Sequence, residues 1–185
     1  MTGSPLVVID ACVLANFSLC DTLLRLAEPP RLYEPKWSEE IIRETTRTLE
    51  SKLGWPSPLT ASLQAELRAH FGETWISGHE ALIPQMTNDE KDRHVLAAAD
   101  HGQASIIVTF NLRHFRREHL EPWGICALHP QSFLIETFRQ EESLGMTKLE
   151  QQAADRRRSL RELLHILSAT VPDFVAVVSA AFSRE

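Results

Sequence analysis

Pro5-Leu-Val-Val-Ile-Asp10 is a short, uninterrupted apolar run that is rich in β-branched residues. Runs of this kind form central strands with both faces buried, which is typical of a parallel sheet. Ala104-Ser-Ile-Ile-Val-Thr109 gives a second such signal, and Gly124-Ile-Cys-Ala-Leu128 gives a weaker third one. The sequence therefore predicts a sheet with the first two segments at its centre.

Segments with helical periodicity alternate with these strands. An apolar segment, residues 31–34, ends at Pro35 and leads to Ser38, which is a good helix N-cap. The predicted helices cover residues 14–26, Ser38 to about 52, 60–72 and 88–102. Residues 75–76 and 81–83 fit either short strands or loop. Alternating strands and helices predict the α/β class with a mainly parallel sheet.

The C-terminal part of the chain has a helical pattern throughout. A helix is predicted from about Gln131 to Gln140, and a last one begins at Pro172. Between them, one side of a helix carries Leu160, Leu163, Leu164 and Leu167. We expect this side to cover the sheet or a neighbouring helix, because it would otherwise be an exposed apolar stripe. We divide the chain into a domain of residues 1–140 and a helical extension of residues 141–185.

The composition is that of a soluble globular protein, with 43% hydrophobic and 24% charged residues among 185. No apolar run approaches the length of a membrane span, and the N-terminus lacks the pattern of a signal peptide. A cytoplasmic protein without a membrane partner is therefore expected. The net charge of −6 argues against a protein that coats nucleic acid, but not against an enzyme that cuts it.

Three cysteines, Cys12, Cys20 and Cys126, are present without a CxxC pair. An odd number without metal-ligand spacing does not fit a disulfide framework or a zinc site. We expect reduced, buried thiols.

Acidic and polar side chains are predicted to meet at one edge of the sheet. Asp10 follows the first strand, and Thr109 and Asn111 follow the second. Asp92 lies in the first turn of its helix, on the face of Val95 and other buried positions. Asp10 alone could cap the next turn, and Asp92 alone could be a favourable charge at a helix N-terminus. Carboxylates that converge in one pocket, however, need a cation to offset their repulsion.

An all-oxygen cluster of this kind selects hard cations, so Mg²⁺ or Mn²⁺ is expected as the cofactor. Such ions polarise phosphoryl oxygen, activate water and stabilise a leaving oxyanion. The predicted chemistry is therefore cleavage of a phosphodiester.

Four segments together resemble a known family. They are Val8–Leu14, Trp37–Glu44, Asp92–Ala99 and Val108–Phe115. Their order and spacing are those of PIN-domain proteins, and they look most like the VapC-type toxin branch with a helical C-terminal extension. The resemblance implies a three-layer α/β/α fold and a metal-dependent endoribonuclease. It also implies an RNA substrate and an antitoxin protein partner, and it leaves a homodimer open.

The resemblance also implies a set of site residues. The family's three acidic positions carry over to Asp10, Glu44 and Asp92, which would be catalytic and metal-binding together with Asn111. Periodicity alone places Glu44 and Glu40 on a solvated face, because residues 42, 49 and 53 define the predicted buried stripe. We rank Glu44 first and Glu40 second.

His114 stands where the family's Thr-x-Asn-x-x-Asp-Phe segment has its last Asp. We expect it to be a metal ligand that favours Mn²⁺ over Mg²⁺ and that repels metal when it is protonated in mild acid. The alternative is that His114 points to solvent or to an RNA phosphate and that Asn111 alone completes the site.

Arginines surround this region of the sequence and are candidates for RNA phosphate contacts, with plain surface charge as the alternative. The predicted RNA contacts are Thr109, Arg93, Arg113 and Arg116, with Arg117 close by. A second basic run, Arg156-Arg-Arg158, lies on the extension and fits RNA, an acidic partner or a solvated face.

Other phosphate enzymes fit poorly. A haloacid-dehalogenase-type phosphatase needs a second Asp two residues after Asp10, where this chain has Cys12. A tyrosine phosphatase needs an Arg six residues after its Cys, but Arg25 is only five residues after Cys20. A different class remains as the alternative: a catalytically weakened PIN-fold module that binds RNA or a partner. His114 is the observation in its favour.

Overall fold

A parallel β-sheet forms the centre of the fold. The computed structural model describes residues 4–183, and within them the sheet has five strands in the order β3-β2-β1-β4-β5. The strands are β1 (Leu6–Ile9), β2 (Glu34–Ser38), β3 (Trp75–Ile76), β4 (Ile106–Val108) and β5 (Cys126–Leu128). Every pairing between them is parallel.

The middle strand is covered on both faces. Successive side chains of a strand point to opposite faces, yet Val7, Val8 and Ile9 are all fully buried. Helices therefore pack on both sides of β1, as its uninterrupted apolar run predicts. β1, β4 and β5 confirm the three predicted strands. β2 begins at Glu34, where the apolar segment of residues 31–34 ends. Pro35 and Lys36 of β2 interrupt the run of apolar residues that would have indicated a buried strand.

Helices connect and flank the strands. They are α1 (Ala11–Leu14), α2 (Phe17–Ala27), α3 (Glu39–Leu53), α4 (Ser57–His70), α5 (Arg93–His101), α6 (Arg117–Leu120), α7 (Pro130–Gln140), α8 (Glu142–Asp155), α9 (Leu160–Ser168) and α10 (Pro172–Phe182). Short 3₁₀ turns add Gly72–Thr74, Glu80–Gln85, Glu90–Asp92, Leu112–His114 and Glu121–Trp123.

The N-cap predicted for α3 is confirmed. The Ser38 hydroxyl accepts a hydrogen bond from the Ile41 backbone N–H at 3.3 Å, which satisfies one free donor of the first turn. Gly54 ends the helix with a φ of 68°, a conformation that favours glycine. The next helix, α4, begins at Ser57 rather than at Thr60, since Pro58 is tolerated in a first helical turn.

The C-terminal helices pack on the rest of the molecule, which confirms the prediction that the leucine stripe covers a neighbouring element. Leu163, Leu164 and Leu167 are buried. α8 lies against α2, where Lys148 Nζ donates to the carbonyl oxygens of Arg25 and Glu28 at 3.0 and 2.7 Å. A cation there satisfies carbonyl groups at the C-terminal end of α2. Only Glu141 separates α7 from α8, and the division after residue 140 stays a prediction.

The cysteine prediction is partly wrong. All three thiols are free, but only Cys20 is buried, whereas Cys12 is half-buried and Cys126 is exposed. Cys126 is exposed because it lies on β5, at the edge of the sheet. Among residues 4–183, no helix has the length and apolar character needed to cross a membrane.

Candidate active site

The candidate site lies at the carboxyl ends of the two central strands, where parallel α/β sheets bind their ligands. Asp10 directly follows β1, and Thr109 directly follows its neighbour β4. The Asp10 backbone N–H donates to the Val108 carbonyl at 3.0 Å, which aligns the two strand ends. The sheet therefore brings together residues that are distant in the sequence.

Asp10 is buried and held by two donors. Its Oδ2 accepts from the Thr109 hydroxyl at 2.6 Å and from the Cys12 thiol at 3.1 Å. Its side chain makes no capping hydrogen bond to α1, although Asp10 is the N-cap residue. The interpretation of Asp10 as a turn-capping residue is therefore wrong.

Thr109 was predicted to contact RNA, and the structure contradicts this. The residue is fully buried, with 0% of its surface exposed, and its hydroxyl faces Asp10. The same hydroxyl accepts the Asn111 backbone N–H at 3.0 Å. Thr109 thus orients Asp10 and also the half-buried Asn111. Asn111 directly precedes the 3₁₀ turn of residues 112–114.

Asp92 is the N-cap residue of α5, but its carboxylate does not cap the helix. Instead, Asp92 Oδ2 lies 2.6 Å from His114 Nδ1. His114 Nε2 accepts from Arg113 Nε at 3.1 Å, so Nδ1 carries the proton and donates to Asp92. Burial and the charges of Asp10 and Asp89 raise the pKa of Asp92, and the His114 hydrogen bond only partly opposes them.

Asp89 completes an acidic cluster that the sequence analysis missed. Ligand atoms of Asp89, Asp92 and His114 all lie within 4.8 Å of one another. The Asp89 backbone N–H also donates to the His114 carbonyl at 3.4 Å, which ties the two segments together. The signal in the sequence was the i, i+3 spacing of Asp89 and Asp92, which places both on one side of a helical turn.

His94 is a second functional candidate that the sequence analysis missed. It is 5% exposed, and its Nε2 lies 3.4 Å from Glu44 Oε2 while its Nδ1 lies 3.8 Å from Glu40 Oε2. Neither ring nitrogen is aligned for a hydrogen bond. Burial by itself would lower the pKa of His94, but the carboxylates of Glu44, Glu40 and Asp10 outweigh it and raise the pKa.

The helix stripe that placed Glu44 in solvent was partly wrong. Leu53, one of its three members, is 56% exposed, whereas Ile41 and Thr45 are buried. The buried face of α3 is therefore turned toward residues 41 and 45. Glu44 lies at the edge of this face, where it reaches His94 on α5.

The arginines are not equivalent. Arg113 is exposed and supports His114 from outside the pocket, and Arg93 is half-buried with its Nε 3.3 Å from the Asn88 carbonyl. Arg116 and Arg117 are exposed and lie within 4.0 and 3.3 Å of glutamates on or next to α6. Arg93 and Arg113 are therefore the two arginines that flank the acidic cluster.

The donor set fits a divalent cation. Burial raises the pKa of Asp92, and the negative charges of Asp10 and Asp89 raise it further. A hard cation offsets the repulsion between these charges and prefers oxygen ligands. His114 reaches the same cluster, but both of its ring nitrogens already take part in hydrogen bonds, with which a cation would compete.

Known proteins share part of this sequence. A family model described as "PIN domain" matches residues 6–113. "Putative ribonuclease VapC50" of Mycobacterium tuberculosis is 40% identical over 111 residues, which are 57% of this chain and 64% of that protein. The chain therefore matches somewhat less than two thirds of this relative's length. No solved structure matches.

Proposed function

This chain belongs to the PIN-domain family, and from that membership and its acidic pocket we propose that it is a divalent-metal-dependent endoribonuclease. The observation that carries the proposal is that Asp10, which follows β1, and Asp92, which precedes α5, contribute to one acidic region. The charge of Asp10 acts on Asp92 there, and Asp89 adds a third carboxylate. The similarity to a protein described as a ribonuclease supports RNA as the substrate.

In this proposal, Asp10 and Asp92 hold Mg²⁺ or Mn²⁺, with Glu44 and Asn111 at the edge of the same pocket. The ion, when bound, polarises the phosphodiester and activates water. Thr109 fixes the Asp10 carboxylate by its 2.6 Å hydrogen bond, so that its orientation is set before substrate binds.

Positive charge completes the site. The His94 ring lies against Glu44, and this carboxylate helps raise the pKa of His94. Arg113 and Arg93 flank the cluster, and we propose that they hold RNA phosphates together with Arg116. A local basic rim next to an acidic centre lets RNA approach a chain with a net charge of −6.

Cleavage of a labelled RNA with purified protein tests the proposal. We expect cleavage with Mg²⁺ or Mn²⁺, none with EDTA, and a loss of at least about 100-fold for Asp10→Asn and for Asp92→Asn. Both variants should fold, because removing one negative charge reduces repulsion in the pocket. Asp100→Asn, at the other end of α5, is the matched control. Normal cleavage by either pocket variant contradicts the role of that residue.

We further propose that the chain is the toxin of a toxin–antitoxin pair that acts in the cytoplasm, with an antitoxin protein that blocks the pocket. Its similarity to a VapC protein supports this role. Expression of the chain alone should slow cell growth, whereas expression of Asp10→Asn should not. Equal growth with both forms contradicts the toxin role.

A second candidate is a PIN-fold module that binds RNA or a partner without cutting. It is favoured by His114, which engages Asp92 where the family's pattern has another acid. RNA binding without metal-dependent cleavage in the same assay would identify it.

A further inference from the structure

A groove opens directly beside Asp10. It has a volume of about 380 Å³ and lies between the start of α2, the C-terminal end of α3 and the residue after Thr109. Cys12 lines it, and the Cys12 thiol donates to Asp10 Oδ2 at 3.1 Å. Phe110 lines the same end. Cys12 therefore links the groove to Asp10 of the candidate active site.

Aromatic and apolar side chains line the rest of this groove. Phe17 is 44% exposed and Leu53 is 56% exposed, which is unusual for large apolar side chains that lie together. The ring of half-buried Trp55 lies next to Phe17, with centroids 5.3 Å apart and planes tilted by 59°. Two aromatic rings, one exposed and one half-buried, thus lie together in the groove.

Positive charge from the C-terminal helices lies beside these rings. The Arg156 guanidinium is 5.2 Å from the centre of the Phe17 ring and is held by Asp21. A cation over an aromatic face stabilises the ring in place. Arg157 and Arg158 follow directly and are exposed. The basic run of the extension therefore begins at the groove.

We propose that this groove binds a base of the RNA strand, next to the phosphodiester that is cut. Aromatic side chains stack on the bases of single-stranded RNA with little preference for one base over another. Arginines close to such rings can bind the phosphates of the same strand. The volume falls within the range of about 300–1,000 Å³ that small-molecule sites occupy. The inference rests on the proposed function, since it takes the strand to pass Asp10.

Binding of a labelled single-stranded RNA to the Asp10→Asn protein tests the groove without cleavage. Phe17→Leu and Trp55→Leu, each added to that protein, remove a ring but keep an apolar side chain. We expect each to weaken binding by about tenfold. Phe182→Leu is the matched control, because Phe182 is 49% exposed and lies on α10, and it should bind as the parent does.

The same substitutions in the wild-type protein separate this inference from the proposed function. Higher KM for RNA with unchanged melting temperature supports a base-binding groove. Unchanged binding and KM, in a wild-type protein that cleaves RNA, overturn the groove and leave the proposed function standing. A third outcome is that the wild-type protein does not cleave RNA, while the groove variants bind single-stranded RNA more weakly. That result overturns the proposed function and keeps the groove as an RNA-binding site.

Discussion

Two histidines hold acidic side chains of the pocket in different ways. His114 donates a short hydrogen bond to Asp92 and is itself held by Arg113. His94 is buried against Glu44, with its Nε2 3.4 Å from Glu44 Oε2, and this carboxylate helps raise the pKa of His94. The first fixes the direction of a carboxylate, and the second offsets the charge of one.

Replacing His114 tests how the pocket tolerates charge. His114→Asp adds a carboxylate within reach of Asp89 and Asp92, so the metal-free protein should melt at a lower temperature because repulsion rises. With Mg²⁺ the loss should be recovered, and Mg²⁺-supported cleavage should rise by about tenfold. Titrations of cleavage and of melting temperature with Mg²⁺ and Mn²⁺ measure both effects.

His165→Asp makes the same change at an exposed position of α9 and serves as its control. Identical metal titrations for the wild type and His114→Asp would contradict a role for residue 114 in metal binding.

Helices α3 and α5 meet through the pocket. α5 carries His94 two residues after Asp92, and α3 carries Glu40 and Glu44 one turn apart. Both carboxylates of α3 face the same imidazole. The contact of His94 with Glu44 therefore joins α3 to the first turn of α5, next to Asp92, and neither helix contains the whole site.

A double-mutant cycle tests this contact. If His94 acts by placing Glu44, then His94→Leu and Glu44→Gln should each reduce cleavage by about tenfold, and the double mutant should lose little more. Rates at saturating RNA and melting temperatures for the three variants give the answer. Independent losses that multiply in the double mutant would show that the two residues act separately.

The C-terminal helices are part of the body of the protein. Besides the buried leucines of α9, Phe174 of α10 is fully buried against the ring of Phe138 on α7. Gln152 of α8 is buried and hydrogen-bonds Thr22 and Asp21 on α2. The core continues from the sheet into these helices without a break.

Truncation after Gly145 should expose the faces of α2 and α7 that these helices cover. We expect aggregation or a melting temperature several degrees lower, because large buried apolar side chains each contribute about 1.5–3 kcal/mol. Thermal unfolding and size-exclusion chromatography of the shortened chain measure this. A monomeric shortened chain of equal stability would instead identify the helices as a separate arm.

The sequence by itself determined the central strands, the α/β class and the position of Asp10 at the end of β1. These depend on local properties: apolar β-branched runs, which form buried strands, and helical spacing, which defines a buried face. The cap at Ser38 is local in the same way, because its partner is three residues along the chain.

Only the tertiary structure decided which side chains meet. The Thr109 hydroxyl reaches Asp10 across 99 positions because β1 and β4 are neighbours in the sheet. His114, which follows β4, reaches Asp92 at the start of α5 across 22 positions. His94 and Glu44 meet because α5 and α3 both pack against β2. Periodicity describes one helix at a time, so it can neither detect such a contact nor show that Phe17 and Trp55 share a groove.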